Sequence, residues 1–203
     1  MGKRAIRLLG ISGSPRAAAT DYAIREALRY AEEKYDVETE YFSVAKKKIQ
    51  FCTHCDFCVQ QKKGCVFQDD MLEVYQLLQW ADAYIIGSPV YQGNISGQLK
   101  TLFDRTRAIL VQNIHIFDNK VGAGIAVGGD RSGGQEPTLR TIHDFYIINH
   151  IFSVGGGAFG ANLGASFWSK DKGAKGAEMD KRGLKALYRT MDQLILVAQK
   201  LCD

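Results

Sequence analysis

The chain has 203 residues, of which 46% are hydrophobic and 24% charged, a composition ordinary for one globular domain with a sizeable core. No apolar run approaches the ~20 residues that span a bilayer, and no signal peptide is apparent, so we expect a cytoplasmic protein with no membrane partner. The formal net charge of +4 gives little support to a nucleic-acid partner.

The first half of the chain alternates short apolar runs with amphipathic segments. Residues 5–11 form an apolar run bounded by Gly, Ser and Pro, which predicts a buried parallel strand. A helix over residues 21–34 and a second strand over residues 37–42 are predicted next. Residues 71–80 are amphipathic and predict another helix, which leads to a third strand at residues 83–86.

The second half continues this alternation. It predicts a helix over residues 96–110, a strand over 121–127, a helix over 137–150, a strand over 154–159 and a helix over 184–201. The charged, glycine-containing segment 170–181 predicts a mobile surface loop. Strands that alternate with helices predict an α/β fold, with a doubly wound, five-stranded parallel sheet in a single domain over residues 1–203.

Three loops that follow predicted strands carry unusual sequences. In doubly wound sheets, ligands bind beyond the carboxyl ends of the strands, where these loops lie. The first loop reads G-S-P-R at residues 13–16, preceded by Ser12 and followed by Thr20. Its hydroxyls, guanidinium and backbone N–H groups favour a phosphate, although a plain strand-to-helix turn would look alike. Neither an ATP P-loop motif nor a dinucleotide fingerprint is present.

The other two loops suit a planar ring. Residues 88–96 read S-P-V-Y-Q-G-N-I-S, where Tyr91 offers an aromatic face and Gly93 permits close backbone approach. Asn94 or Ser96 would equally serve only as the cap of the next helix. Residues 128–135 contain four glycines, which can crowd the edge of a ligand or simply form a flexible loop. Together the three loops predict one cofactor site.

Four of the five cysteines fall within residues 52–65, spaced C-x2-C-x2-C-x6-C. Three thiolates at two-residue gaps can surround a small inorganic body, and these gaps match the start of the bacterial ferredoxin [4Fe–4S] sequence. A Zn(Cys)4 site and disulfides are the alternatives. Zinc sites, however, usually join two separated C-x2-C pairs, and disulfides are rare in intracellular proteins. The predicted metal ligands are Cys52, Cys55, Cys58 and Cys65, and His54 is expected to lie outside this set.

These motifs resemble a known family. G-S-P-R after strand one and S-P-V-Y-x-G-x-x-S-x-Q-L-K after strand three are similar to the flavodoxin-like NADPH-dependent FMN reductases. The cysteine segment and G-G-D-R-S-G-G-Q-E at residues 128–136 resemble one branch, the iron–sulfur flavoproteins of anaerobic archaea and bacteria. The resemblance spans about residues 5–165. It departs at residues 17–19, which are all alanine where the family often has polar residues or glycine.

The resemblance implies FMN and a [4Fe–4S] cluster as cofactors, with the cluster in a loop, residues 46–70, inserted after strand two. The FMN phosphate would lie on the first loop and the isoalloxazine ring against the other two. The implied flavin-binding residues are Ser12, Ser14, Pro15, Arg16, Thr20, Pro89, Val90, Tyr91, Gly93, Asn94, Ile95, Gly128, Gly129, Asp130, Gly133, Gly134 and Gln135. A homodimer or homotetramer is also implied, with clusters close to the flavins of neighbouring subunits.

A protein with both cofactors can split a two-electron transfer into single-electron steps. We therefore expect an electron-transfer flavoprotein that accepts electrons from reduced ferredoxin or a similar donor and passes them to a small-molecule or protein acceptor. Lysines at residues 46–48, 62 and 63 would dock an acidic carrier, or form only a solvated rim.

Two other functions stay open: an NAD(P)H-dependent FMN or quinone-type reductase, and a zinc-loaded redox sensor without flavin. The sequence contains no convincing Ser-His-Asp or Cys-His arrangement, and its four histidines are scattered. No side chain is therefore predicted to be catalytic.

Overall fold

The computed structural model describes residues 4–202, in which six strands and eight helices follow one another along the chain. The strands are β1 (Ile6–Ser12), β2 (Val37–Ser43), β3 (Ala83–Pro89), β4 (Val121–Gly128), β5 (Phe152–Val154) and β6 (Ala165–Trp168). The helices are α1 (Ala19–Lys34), α2 (Phe57–Gln61), α3 (Met71–Trp80), α4 (Gly97–Arg105), α5 (Arg107–Leu110), α6 (Gln135–Ile148), α7 (Gly173–Glu178) and α8 (Lys181–Leu201). No helix within residues 4–202 has the length and apolarity needed to cross a membrane.

The sheet is parallel throughout and has the order β2-β1-β3-β4-β5, with β6 also paired to β4. This is the flavodoxin-like strand order, in which the direction of winding changes between β1 and β3. The central strands β3 and β4 are buried along their whole length. Both faces are covered by helices, as a parallel sheet requires, and the predicted fold class is confirmed.

Two hydrophobic cores lie on opposite faces of the sheet. Leu8 belongs to one core and its neighbour Leu9 to the other, because successive side chains of a strand point to opposite faces. On the first face, α1 packs through Ala23, Ala27 and Ala31, whose small side chains let the helix lie close to the sheet. The second face is covered by α3, α4 and α6, and Cys58 and Cys65 pack against its edge.

A fifth strand lies at the edge of the sheet as predicted, but its predicted bounds, residues 154–159, are wrong, because β5 ends at Val154. β5 pairs with the first part of β4, at Val121–Ala123, and β6 pairs with the last part, from Ile125 to Gly128. Between them the chain leaves the sheet and turns at Gly157, Gly160 and Gly164, all of which have positive φ. Such glycines favour a turn over a strand, so one edge position of the sheet is built from two pieces of chain.

The prediction of a loop over residues 170–181 is also wrong, because this segment contains α7. The helix packs against α1, and its Ala177 is fully buried. A Cβ at Gly176 would collide with the carbonyl oxygen of Ser169, so only glycine fits there. The predicted helix 96–110 is divided at Thr106 into α4 and α5.

Candidate cofactor site

A cavity of about 230 Å³ lies beyond the carboxyl ends of β1, β3 and β4. It is lined by Ser14, Arg16, Ala18, Ala19, Thr20, Pro89, Val90, Tyr91, Val127, Gly129, Ser169, Asp171 and Gly173. Its walls thus come from all three of the loops singled out in the sequence, together with the segment that follows β6. This is the position at which doubly wound folds bind their ligands.

The end of the cavity at α1 is suited to an anion. Within the described chain, no side chain caps the N-terminus of α1, so its first-turn N–H groups are left for another acceptor. Ser14 folds onto its own loop: its Oγ donates to the Arg16 carbonyl at 2.8 Å and accepts from the Arg16 N–H at 3.2 Å. The Arg16 side chain is exposed at the rim. Because residues 17–19 are alanines, polar contacts there fall to the backbone.

Seven of the predicted flavin-binding residues line the cavity: Ser14, Arg16, Thr20, Pro89, Val90, Tyr91 and Gly129. Ten others do not line it: Ser12, Pro15, Gly93, Asn94, Ile95, Gly128, Asp130, Gly133, Gly134 and Gln135. The role of all seventeen in flavin binding stays a prediction. Several of the ten nevertheless shape the cavity by holding its loops in place.

Gln135 organises the glycine-rich loop that follows β4. Its Oε1 accepts from the Gly133 N–H at 2.8 Å, and its Nε2 donates to the Asp130 carbonyl at 2.6 Å. Gly134 has φ +108°, and a Cβ on it would lie 2.8 Å from the Cα of Gly93. The loops after β3 and β4 therefore meet at a point where neither has a side chain.

Ser96, and not Asn94, caps α4. The Ser96 Oγ accepts from the Leu99 N–H at 3.1 Å. Asn94 is engaged elsewhere, since its Oδ1 accepts from the Ile95 N–H and from the Thr141 hydroxyl, each at 2.7 Å. Asn94 therefore fixes the tip of the loop after β3 against α6.

Ser169, Asp171 and Gly173 form a further wall of the cavity that was not predicted from the sequence. These residues follow β6, which was not predicted, so nothing placed them near the other loops. The Asp171 carboxylate packs so closely that its Oδ1 would lie 2.6 Å from a Cβ at Gly129. An available signal was the A-S-F-W run at residues 165–168, which is strand-like and lies directly before this segment.

Basic side chains flank Trp168 near the same wall. The Arg131 guanidinium carbon lies 5.5 Å and the Lys170 Nζ 4.5 Å from the centre of the Trp168 ring. Arg131 also forms an ion pair with the buried carboxylate of Asp180, which accepts from the Trp168 N–H at 2.8 Å. Burial would raise the pKa of Asp180, but Arg131 and these backbone donors hold it below its ordinary value.

The cysteine loop follows β2 and contains a short helix, α2. Tight turns surround that helix, because His54, Asp56 and Lys62 have φ values of 54°, 57° and 50°, and Gly64 has φ 101°. Cys55 is exposed and the other three cysteines of the loop are partly buried, and none of the four forms a disulfide. The disulfide alternative therefore has no support from the structure.

The four thiols of the cysteine loop are not gathered around a single point. Among residues 4–202, no three His, Cys, Asp or Glu side chains converge where a single ion could bind. A zinc site needs all its ligands on one ion, whereas the cysteines of a [4Fe–4S] cluster bind different irons and stand further apart. Four thiols in one short, partly buried loop are a donor set of the kind that holds an iron–sulfur cluster.

Arg107 holds the N-terminal part of the cysteine loop from outside. Its Nη2 donates to Asp56 Oδ1 at 2.7 Å, and its Nη1 lies 3.4 Å from Nδ1 of His54. The hydrogen bond to Asp56, and then the nearby Cys58 and Cys52, raise the pKa of the Arg107 guanidinium. His54 is exposed and faces this arginine.

The surface of the cysteine loop is both apolar and basic. Phe51 is 72% exposed, and Phe57, Val59 and Val66 are also exposed. Among the five flanking lysines, within residues 4–202, only Lys47 forms an ion pair, with Glu73; the others are exposed: Lys46, Lys48, Lys62 and Lys63. Apolar side chains framed by cations are a suitable contact surface for an acidic protein.

One serine–histidine contact occurs away from the cavity. Ser153 Oγ donates to Nδ1 of His143, whose Nε2 donates to the Leu163 carbonyl at 2.6 Å. The imidazole, which comes from α6, thus contacts β5 through one ring nitrogen and the loop before β6 through the other. No carboxylate in the described part of the chain contacts this imidazole, so the pair ties two chain segments together without forming a triad.

The chain is similar to several known proteins. The profile of the NADPH-dependent FMN reductase family matches residues 6–166. An iron–sulfur flavoprotein of Methanocaldococcus jannaschii is 57% identical over 195 residues, which cover 96% of this chain and 98% of that protein. One from Archaeoglobus fulgidus is 44% identical over 194 residues, covering 96% and 98%. A WrbA-like flavodoxin from Agrobacterium tumefaciens shares the fold, with a TM-score of 0.68, 16% identity, and 97% and 99% coverage.

Proposed function

Because this chain belongs to the iron–sulfur flavoproteins of the NADPH-dependent FMN reductase family, we propose that it is an electron-transfer protein that holds FMN and a [4Fe–4S] cluster. It would accept electrons from reduced ferredoxin or a similar donor and pass them to a small-molecule or protein acceptor. The observation that carries this proposal is that one chain contains both a cavity between three strand-end loops and a four-cysteine loop.

The cavity residues have separate tasks in this proposal. Arg16 and the first turn of α1 would bind the FMN phosphate, joined by Ser14 once its hydroxyl turns from the Arg16 carbonyl, and Pro89 to Tyr91 would lie along the isoalloxazine ring. Gly129, which has no side chain, lets the Asp171 carboxylate join this wall of the cavity. FMN supplies both one-electron and two-electron chemistry, and the cluster supplies one-electron chemistry. The chain's own contribution is to bind, orient and shield the two groups.

The cysteine loop would also receive the electron donor. Its exposed Phe51 and the lysines around it offer apolar contact and positive charge to an acidic carrier such as ferredoxin. The acceptor would reach the flavin at the cavity. Assembly as a homodimer or homotetramer is part of the proposal, since it would bring the cysteine loop of one subunit near the cavity of another.

A second candidate is an NAD(P)H-dependent FMN or quinone-type reductase, which the match to the NADPH-dependent FMN reductase family favours. Steady oxidation of NADPH by the purified protein would support this candidate. Flavin reduction by ferredoxin but not by NADPH would support electron transfer.

The first experiment is the content of iron, acid-labile sulfide, zinc and FMN in anaerobically purified protein. We expect about four iron, about four sulfide and about one FMN per chain. One zinc with no sulfide would overturn the electron-transfer proposal and leave, at most, a flavin reductase with a structural metal loop.

A further inference from the structure

We propose that Arg105 is the positioning residue that fixes the cysteine loop, and with it the cluster, relative to the flavin cavity. This inference rests on the proposed function for its consequence, but the contacts that carry it belong to the chain alone. Arg105 is the last residue of α4 and lies outside the cavity.

A single guanidinium closes both ends of the loop. Nη1 of Arg105 donates to the Gln50 carbonyl at 2.7 Å and to Asp69 Oδ2 at 2.8 Å, and Nη2 donates to Asp69 Oδ1 at 3.0 Å. Gln50 lies just before Cys52, and Asp69 lies four residues after Cys65. The whole cysteine segment is therefore held between two partners of one side chain.

Asp69 completes the closure from its own side. Its Oδ2 also accepts from the Gln50 N–H at 2.9 Å, and its Oδ1 accepts from the Met71 N–H at 3.2 Å, at the start of α3. Burial would raise the pKa of Asp69, but Arg105 and these backbone donors hold it below its ordinary value. The carboxylate thus stays charged and paired with the arginine.

The burial of this pair points to a role beyond stability. The side chains of Arg105 and Asp69 are 1% and 8% exposed. Desolvation of a buried pair commonly cancels most of its attraction, so apolar residues would stabilise the fold as well. A bidentate pair gives fixed geometry instead, because the planar fork matches a carboxylate in one orientation.

Arg105 also retains a buried donor that none of its contacts uses. Its Nε has no hydrogen-bond acceptor among the described residues. Burial would lower the pKa of this guanidinium, but Asp69, Tyr75 and then Cys65 hold it above its ordinary value. A thiolate or a cluster sulfide is a suitable acceptor, and hydrogen bonds to sulfur help to set cluster potential.

Helix α4 connects the Arg105–Asp69 pair, the anchor of the cysteine loop, to the loops that line the cavity. Its first turn is capped by Ser96, whose Oγ donates to the Gly13 carbonyl at 2.5 Å and whose N–H donates to Ser88 Oγ at 2.9 Å. The nine-residue helix spans about 13 Å to Arg105. The N-terminus of α4 is therefore hydrogen-bonded to the loop after β1 and to the end of β3, and its C-terminus is hydrogen-bonded to the cysteine loop.

The test compares two changes at the anchor with a matched change on the same helix. Arg105→Lys keeps the charge but loses the fork. Arg105→Met combined with Asp69→Leu removes both charges, so neither is left buried alone. The control, Lys100→Ala with Asp104→Ala, removes an exposed ion pair of α4.

Hydrogen exchange on cofactor-free protein and cofactor content on anaerobically purified protein are then measured. In both anchor variants we expect exchange of residues 50–71 to be on the order of 10-fold faster, with protection of the sheet unchanged. Iron and sulfide should fall while FMN stays at the wild-type level, and the reduced cluster that remains should have an altered EPR spectrum. The control should match wild type.

Wild-type exchange, iron content and EPR spectrum in the double anchor variant would overturn the inference. A joint loss of sheet protection, FMN and iron in Arg105→Lys would overturn it too, because Arg105 would then support the fold as a whole. A wild-type protein without iron and sulfide would refute the proposed function instead, and the exchange comparison would still decide whether Arg105 holds the loop.

Discussion

The hydroxyl of Ser96 donates to the carbonyl oxygen of Gly13 at 2.5 Å, which joins the start of α4 to the loop that follows β1. The two residues are far apart in sequence, and Ser96 is fully buried. Because Ser96 Oγ also accepts from the Leu99 N–H, one side chain caps the helix and joins two walls of the cavity. The shape of the cavity therefore depends on a residue that does not line it.

Replacement of Ser96 by Ala should lower both stability and flavin retention. It removes the cap and leaves the Gly13 carbonyl without this donor, which should cost about 1–3 kcal/mol of unfolding free energy. FMN should dissociate more readily because the loops after β1 and β3 lose their link. Urea denaturation and FMN titration measure the two effects. Thr101→Ala, on the same helix, is the control, and equal midpoints for the two variants would contradict the prediction.

Much of the fold could be predicted because its signals are local. Apolar runs followed by helical periodicity define β1 to β4, and the alternation of strands and helices implies the parallel sheet. The split edge of the sheet could not be predicted, since β5 and β6 are short and gain their identity only by pairing with β4. Helix α7 was missed because packing on α1, and not its own sequence, stabilises it.

The candidate site could be predicted in part for the same reason. The loops after β1 and β3 have distinctive sequences, and the rule for doubly wound sheets places them together. The wall formed by Ser169 and Asp171 depends on where β6 joins the sheet, which is a tertiary property. The role of Arg105 could not be predicted, because in the sequence it is an ordinary residue of a predicted helix. Only the structure shows its burial and its partners.

Gly122 should tolerate no side chain. A Cβ there would overlap the ring of Tyr146, which is itself fixed by a hydrogen bond from its hydroxyl to the Ala123 carbonyl at 2.9 Å. We expect Gly122→Ala to destabilise the protein by about 1–3 kcal/mol, as overpacking of a core does. Gly97→Ala is the control, because a Cβ there meets nothing within 4 Å. Thermal unfolding of both variants checks this, and a wild-type melting temperature for Gly122→Ala would refute it.

The two charged residues of the cavity should act on FMN in opposite directions. Arg16→Gln should weaken FMN binding on the order of 10-fold, through loss of a charge-assisted contact to phosphate. Asp171→Asn should strengthen it by about 5-fold, because a nearby negative charge is removed. Riboflavin, which lacks the phosphate, provides the control ligand, and its affinity should change little in either variant. Equal effects on the two flavins would show that neither charge acts on phosphate. Fluorescence titration of cofactor-free protein gives both affinities.

The ionised Asp180 carboxylate should stabilise the folded state at neutral pH, and this contribution should be lost in acid. Arg131 and backbone donors hold its folded pKa below the value of about 3.9 expected in the unfolded chain. Between these two pKa values the unfolded state therefore binds more protons than the folded state. The stabilisation is lost as pH falls below about 4 and through the folded pKa. Asp180→Asn should cost about 2 kcal/mol at pH 7 and progressively less below pH 4.

The measurement is urea denaturation of wild type and Asp180→Asn from pH 3 to pH 7. Asp104→Asn, which alters an exposed ion pair, should differ little from wild type at any pH. A free-energy difference between wild type and Asp180→Asn that stayed constant down to pH 3 would show that the carboxylate does not titrate differently in the folded state.

The lysines beside the cysteine loop should accelerate electron transfer from an acidic carrier. Lys62→Glu with Lys63→Glu reverses two exposed charges there, and should lower the second-order rate of reduction by ferredoxin on the order of 10-fold at low salt. Lys181→Glu with Lys185→Glu makes the same change in net charge at exposed positions of α8. Stopped-flow reduction at several ionic strengths separates the two. The difference should vanish at high salt, where surface charges are screened. If both pairs slow the reaction equally, net charge and not the cysteine-loop surface governs the encounter.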